Sequence, residues 1–104
     1  MNVFTKQPRD VLDYDVDMSA WFAGSGDDIQ RVDVTVRSDM EDAPTLTAGP
    51  IPHQAVVLEG DQPVRFKVWL GGGTDRVDYI VSCLVVTEAD RQKEVEFKIK
   101  VRDQ

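Results

Sequence analysis

From Leu12 onward apolar and polar residues alternate. Leu12, Tyr14, Val16 and Met18 fall on one side of the register, and Asp13, Asp15 and Asp17 on the other. Side chains that change face at every residue belong to a strand with one dry face and one wet one. The signal returns at residues 29–37, where Val32, Val34 and Val36 alternate with Arg31, Asp33, Thr35 and Arg37. It recurs where Val64, Phe66, Val68 and Leu70 are set against Arg65, Lys67 and Trp69. A last instance sets Val95, Phe97, Ile99 and Val101 against Glu96, Lys98, Lys100 and Arg102. Residues 79–87 are apolar at most positions of both parities, which predicts a central strand covered on both faces. Short strands are predicted at Leu46 and at residues 55–59, with the Gly49-Pro50-Ile51-Pro52 break between them. Its prolines lack backbone donors and suit an edge or a connection. No stretch carries a useful length of helical period.

Turn chemistry separates these runs: Gly24-Ser25-Gly26-Asp27-Asp28, the polar stretch 38–44, Gly60-Asp61, the glycines at 71–73 and the polar hairpin 88–92. Short strands at roughly 8–12-residue spacing without helices predict a sandwich or small barrel. Tyr79 opens the late central strand just after the glycine-rich corner, an arrangement that resembles the tyrosine corner of immunoglobulin-like folds. The expected fold is therefore all-β, an immunoglobulin-like antiparallel β-sandwich of about seven strands. It is expected over residues 10–104, after an extended N-terminal arm at residues 1–9. Val3 and Phe4 on that arm are apolar surface in need of a dock. Both are candidate interface residues, with residues 1–8 expected to be ordered mainly by a neighbouring subunit.

A chain of 104 residues fits one domain. With 12 basic and 19 acidic residues its net charge is −7, which argues against binding nucleic acid, where phosphates must be neutralised, and against docking on anionic lipid. Cys83 is the only cysteine, so the fold does not depend on an internal disulfide. The first residues hold no apolar run suited to a signal peptide, and nothing approaches the ~18 apolar residues of a membrane span. The expectation is synthesis in the cytosol without an export signal and no membrane partner.

Candidate chemistry is sparse. Alternate carboxylates at Asp13, Asp15 and Asp17 invite weak cation binding. An EF-hand loop counted from Asp13 would need glycine where Met18 stands and glutamate where Gly24 stands. A charged strand face that discourages edge pairing accounts for them better. The glycines at 71–73 lack the lysine and helix of a phosphate-binding loop, so they read as a tight corner. His53 is the only histidine and has no companion ligands for zinc. No serine sits in a nucleophile elbow, and Cys83 in an apolar strand reads as inert packing. No catalytic residue, metal or cofactor is assigned, and the chain is not expected to be an enzyme. Trp69 falls out of phase with Val68 and Leu70, so it caps a sheet edge, packs under a loop, or faces a partner. It is the third candidate interface residue.

Several segments read together resemble a known family. They are Phe4-x-Lys6-x-Pro8, then Leu12-Asp13-Tyr14-x-x-Asp17-x-Ser19-x-Trp21, then Val68-Trp69-Leu70-x-Gly72-Gly73-Thr74, Tyr79-x-Val81, and Phe97-x-Ile99-x-Val101-Arg102. This series is similar to that of small tailed-phage fiber–tail adaptor proteins with an immunoglobulin-like fold. Met18, Phe22 and Asp90 depart from the pattern. The resemblance implies a structural protein of the virion, made in the host cytoplasm and oligomeric within the particle. It would bridge the tail or neck to fibers or to neighbouring structural subunits. The alternatives are a carbohydrate- or cell-surface-binding module that uses Trp69 or Trp21 as a stacking platform, and a capsid decoration protein.

Overall fold

A computed structural model of the chain describes residues 1–40 and 44–104. The elements are β1 (Asn2–Lys6), β2 (Leu12–Asp17), α1 (Ser19–Phe22), β3 (Ile29–Ser38), β4 (Leu46–Ala48), β5 (Val56–Leu58), β6 (Arg65–Gly72), β7 (Asp78–Thr87) and β8 (Gln92–Val101). One sheet runs β1-β8-β7-β3, and the other runs β2-β6-β4 with β5 also on β6. The two sheets pack face to face, so the protein is an all-β sandwich. The polar stretch expected as a loop includes residues 41–43, which lie outside the described residues.

Period two explains the packing. Phe66, Val68 and Leu70 of β6 and Tyr79, Val81, Cys83 and Val85 of β7 meet Phe97, Ile99 and Val101 of β8 in a shared core, all with little or no exposure. Each such side chain contributes about 1.5–3 kcal/mol by leaving water. The other parity of β7 is sheltered differently from the expectation of a strand covered by a layer on each face. Ile80, Ser82, Leu84 and Val86 face outward and are flanked in register by Arg37 and Lys98, Thr35 and Glu96, Asp33 and Glu94, and Arg31 and Gln92. Val86 is nonetheless only 5% exposed.

Two departures from the sequence expectation stand out. The segment expected as an extended arm ordered by a neighbouring subunit holds strand β1, which runs parallel to β8 of its own chain, with Phe4 opposite Ile99 and Lys6 opposite Val101. Parallel pairing here breaks the otherwise antiparallel pattern of the described strands. The second departure is α1, one turn of helix that carries the chain from one sheet to the other across the end of the sandwich. It holds no helical period because it is too short to have one. The Ser19 N–H donates to Asp17 Oδ1, Phe22 plugs the core at 4% exposure, and Gly24 and Gly26 end the turn.

Candidate protein interface

The lateral sides of the sandwich are closed to different degrees. On one side β3 lies against β4 and β5. These two are halves of a single edge strand: Gly49 N–H donates to Trp69 O and Trp69 N–H donates to Ala55 O, so the ladder on β6 continues across the gap. The intervening residues 49–55 leave the sheet as a loop whose Ile51 is 97% exposed. On the opposite side the edges of β1 and β2 stand apart and leave an open groove of about 160 Å³. Phe4, Tyr14, Val16 and Phe97 line it, with Asp15, Asp17 and Glu96 also along it.

The structure separates the candidate interface residues. Val3 points outward at the free edge of its sheet, beside Lys98 in register, and is 53% exposed. Phe4 turns inward and is half-buried, 5.1 Å from the Tyr14 ring and 5.8 Å from the Phe97 ring. Its neighbour is therefore the chain's own core. Trp69 lies on the outer face of the other sheet, under the 49–55 loop. The His53 ring stacks on it at 3.6 Å and 4° between planes. Trp21 packs edge-on against Phe22, with the Arg91 guanidinium 4.4 Å above its ring. One ring face of each tryptophan is thus occupied from within the chain. The sequence left His53 in a connection, and no periodic signal could have placed it over a residue sixteen positions along.

Tyr79 sits fully buried at the head of β7. Its hydroxyl accepts the Thr74 N–H at 2.8 Å and bonds the Thr45 hydroxyl at 2.9 Å, while Thr45 and Thr74 bond each other at 2.8 Å. The corner that presents Thr74 needs glycine. Gly72 has φ +75° and a Cβ there would lie 2.8 Å from the Thr45 carbonyl oxygen. Lys6 completes this end of the sandwich, and sequence reasoning did not single it out as a core residue. It is 1% exposed, and its ammonium donates to Gly72 O at 2.6 Å and Gln7 O at 2.8 Å. A lysine in the inward register of β1 is tolerated because carbonyl oxygens replace its water. Burial pulls its pKa below the usual lysine value, against the raising pull of Asp10.

The early aspartates face a cation that the chain itself supplies. Register places Asp13 opposite Trp69 and Asp15 opposite Lys67. The Lys67 ammonium lies 2.8 Å from Asp15 Oδ1 and 3.2 Å from Asp13 Oδ2. Those hydrogen bonds push the Lys67 pKa up to about 12. Asp17 stands apart and accepts the Ser19 N–H, which lowers its pKa. At the α1 end, Asp27 accepts from the Arg91 Nε at 3.0 Å, the Ala89 N–H at 3.1 Å and the Asp28 N–H at 2.9 Å. Burial alone would raise its pKa, but these bonds and the Thr87 hydroxyl outweigh it and hold it at about 2. Burial likewise pushes the Cys83 thiol up to about 12, which keeps it protonated and unreactive at neutral pH.

The arrangement offers a packed sandwich with the buried Lys6 and Tyr79 side chains engaged by its own backbone, one exposed loop and one open side. A family model described as Podophage GP4 fiber-tail adaptor protein gp77 matches residues 6–100, nearly the whole chain. Lys6, Trp69 and Tyr79 fall inside that match, while Val3 and Phe4 precede it. No curated protein matches the chain.

Proposed function

The chain belongs to the podophage fiber-tail adaptor family, and from that premise we propose that it joins the tail to the fibers, or to the structural subunits beside them, as several copies within one particle. Family membership makes it a structural component of a phage tail, and so of the virion. The finer reading adds the connection itself and synthesis in the host cytoplasm before assembly. The observation that carries it is the continuous match over residues 6–100. The geometry supports it in a physical way. A connector transmits load between neighbours, and a sandwich with its core shared by both sheets deforms little under such load.

Particles produced by a phage lacking this chain test the reading directly. Tails without fibers are expected, with fibers regained when the purified protein is added back. Particles that carry their full set of fibers without it would show that the connection is made elsewhere.

A further inference from the structure

Among the described residues four edges border this sandwich, and three of them are guarded. β3 carries Arg31, Asp33 and Arg37 outward and has a register shift between Ile29 and Arg31. The β4–β5 edge is broken by the 49–55 excursion with its two prolines. β2 presents Asp13, Asp15 and Asp17. Charges, bulges and prolines are the means by which sheets discourage a further strand from adding. β1 has none of them on its outward positions, which hold Val3 and Thr5, and its one charge, Lys6, is turned inward and held by Gly72 O and Gln7 O.

The backbone of β1 shows which groups are open. Arg102 N–H donates to Lys6 O at 2.9 Å, so the peptide groups of Lys6 and, by alternation, Phe4 and Asn2 face β8. Those of Val3 and Thr5 face the free edge, since β1 is the outermost strand of its sheet. Directly alongside runs the groove of about 160 Å³ between β1 and β2. A cavity of this size takes a group about as large as benzene, that is, one aliphatic side chain.

We infer that β1 is a docking edge at which an extended segment of a partner protein adds as a further strand, with an apolar side chain in the groove between Phe4 and Val16. The segment turns apolar residues into the groove at alternate positions and carries a net positive charge, because Asp15, Asp17 and Glu96 border the groove and the chain as a whole carries −7, although Lys98 and Lys100 stand beside Val3 and Thr5 in register. Main-chain bonds to Val3 and Thr5 hold it, the groove selects the side chain, and the carboxylates select the charge. This deepens the adaptor reading by naming where a structural partner attaches, and it rests on that reading.

The test uses the ¹⁵N-labelled full chain and a short synthetic peptide that alternates valine with lysine and threonine. Binding should slow amide exchange at Val3 and Thr5 by roughly tenfold or more and move the Phe4 and Tyr14 ring signals. Thr5→Pro removes an edge-facing donor without touching the β8 ladder and should abolish binding, while Val57→Thr on the other sheet should leave it intact. The exchange measurement on the unaltered chain carries the result if Thr5→Pro fails to fold. Absence of binding, signal changes centred on Ile51 and Trp69, or peptide-independent protection that grows with protein concentration would each overturn the inference. The last would assign the edge to a second copy. Fiberless particles from the deletion phage combined with a silent peptide titration would sink this inference and leave the adaptor reading standing.

Discussion

At one end of the sandwich, where Lys6, Thr74 and Tyr79 meet, the closing bonds run from buried side chains to backbone atoms. At the other, where Trp21, Asp27 and Arg91 meet, an ion pair and a guanidinium over a ring join the bonds that Asp27 accepts from the Ala89 and Asp28 N–H groups. Both ends close the sandwich, yet they answer to different conditions. The first works by hydroxyl and ammonium groups that find carbonyl and amide partners away from water, which salt hardly screens. The second leans on an arginine that is 42% exposed, and such pairs weaken as ions or protons accumulate. The Tyr79 end should therefore hold over a wide range of solution conditions while the Asp27 end loosens first.

The sharpest way to break this contrast is Tyr79→Phe. It keeps the ring in the core but leaves the Thr74 N–H and Thr45 hydroxyl without their shared partner. A loss of about 2–3 kcal/mol in urea unfolding is expected, nearly independent of salt. Lys6→Met comes next. The stem stays buried, and the Gly72 carbonyl loses its donor at a cost of about 1–2 kcal/mol. Unchanged unfolding midpoints in either variant would remove the case for a backbone-anchored end.

Asp27→Asn should do less, and its effect should depend on pH. The folded carboxyl titrates at about 2, below its unfolded value of ~3.9. Its stabilisation is thus present in full above ~pH 4 and is lost as pH falls through about 2. Thermal midpoints of the variant and the unaltered chain should differ at neutral pH and converge toward pH 2. A constant gap across that window would show that the ion pair is not responsible. The smallest expected change belongs to neither end. Tyr14 is 8% exposed, and its buried hydroxyl has no hydrogen-bond partner among the described residues. Tyr14→Phe should then be neutral or stabilising by up to about 1 kcal/mol, and a clear destabilisation would reveal a bond to that hydroxyl.

What the sequence disclosed follows the same division between periodic and non-periodic structure. β2, β3, β6 and β8 were legible because one dry face imposes period two, and β7 because an apolar run marks a central strand. Tyr79 could be singled out because a glycine-rich corner precedes it. β1 was not legible as a strand: it is five residues long, and the inward position after Phe4 is a lysine, which reads as polar. Its burial depends on Gly72 O, sixty-six residues away. Likewise, Lys67 could be matched to Asp13 and Asp15 only once the register of β2 on β6 was known. Long-range register and the path of the 49–55 loop are set by the packed whole, and local pattern carries little trace of them.

The broken edge strand has a practical consequence. Because the chain leaves the ladder at Gly49 and rejoins it at Ala55 on either side of one residue, Trp69, its departure and return points are neighbours. A stretch of different length or chemistry grafted between them would close on itself without disturbing the strands that flank it. An epitope or fluorescent reporter placed there would sit on that flank at a position fixed by the ladder on either side of it.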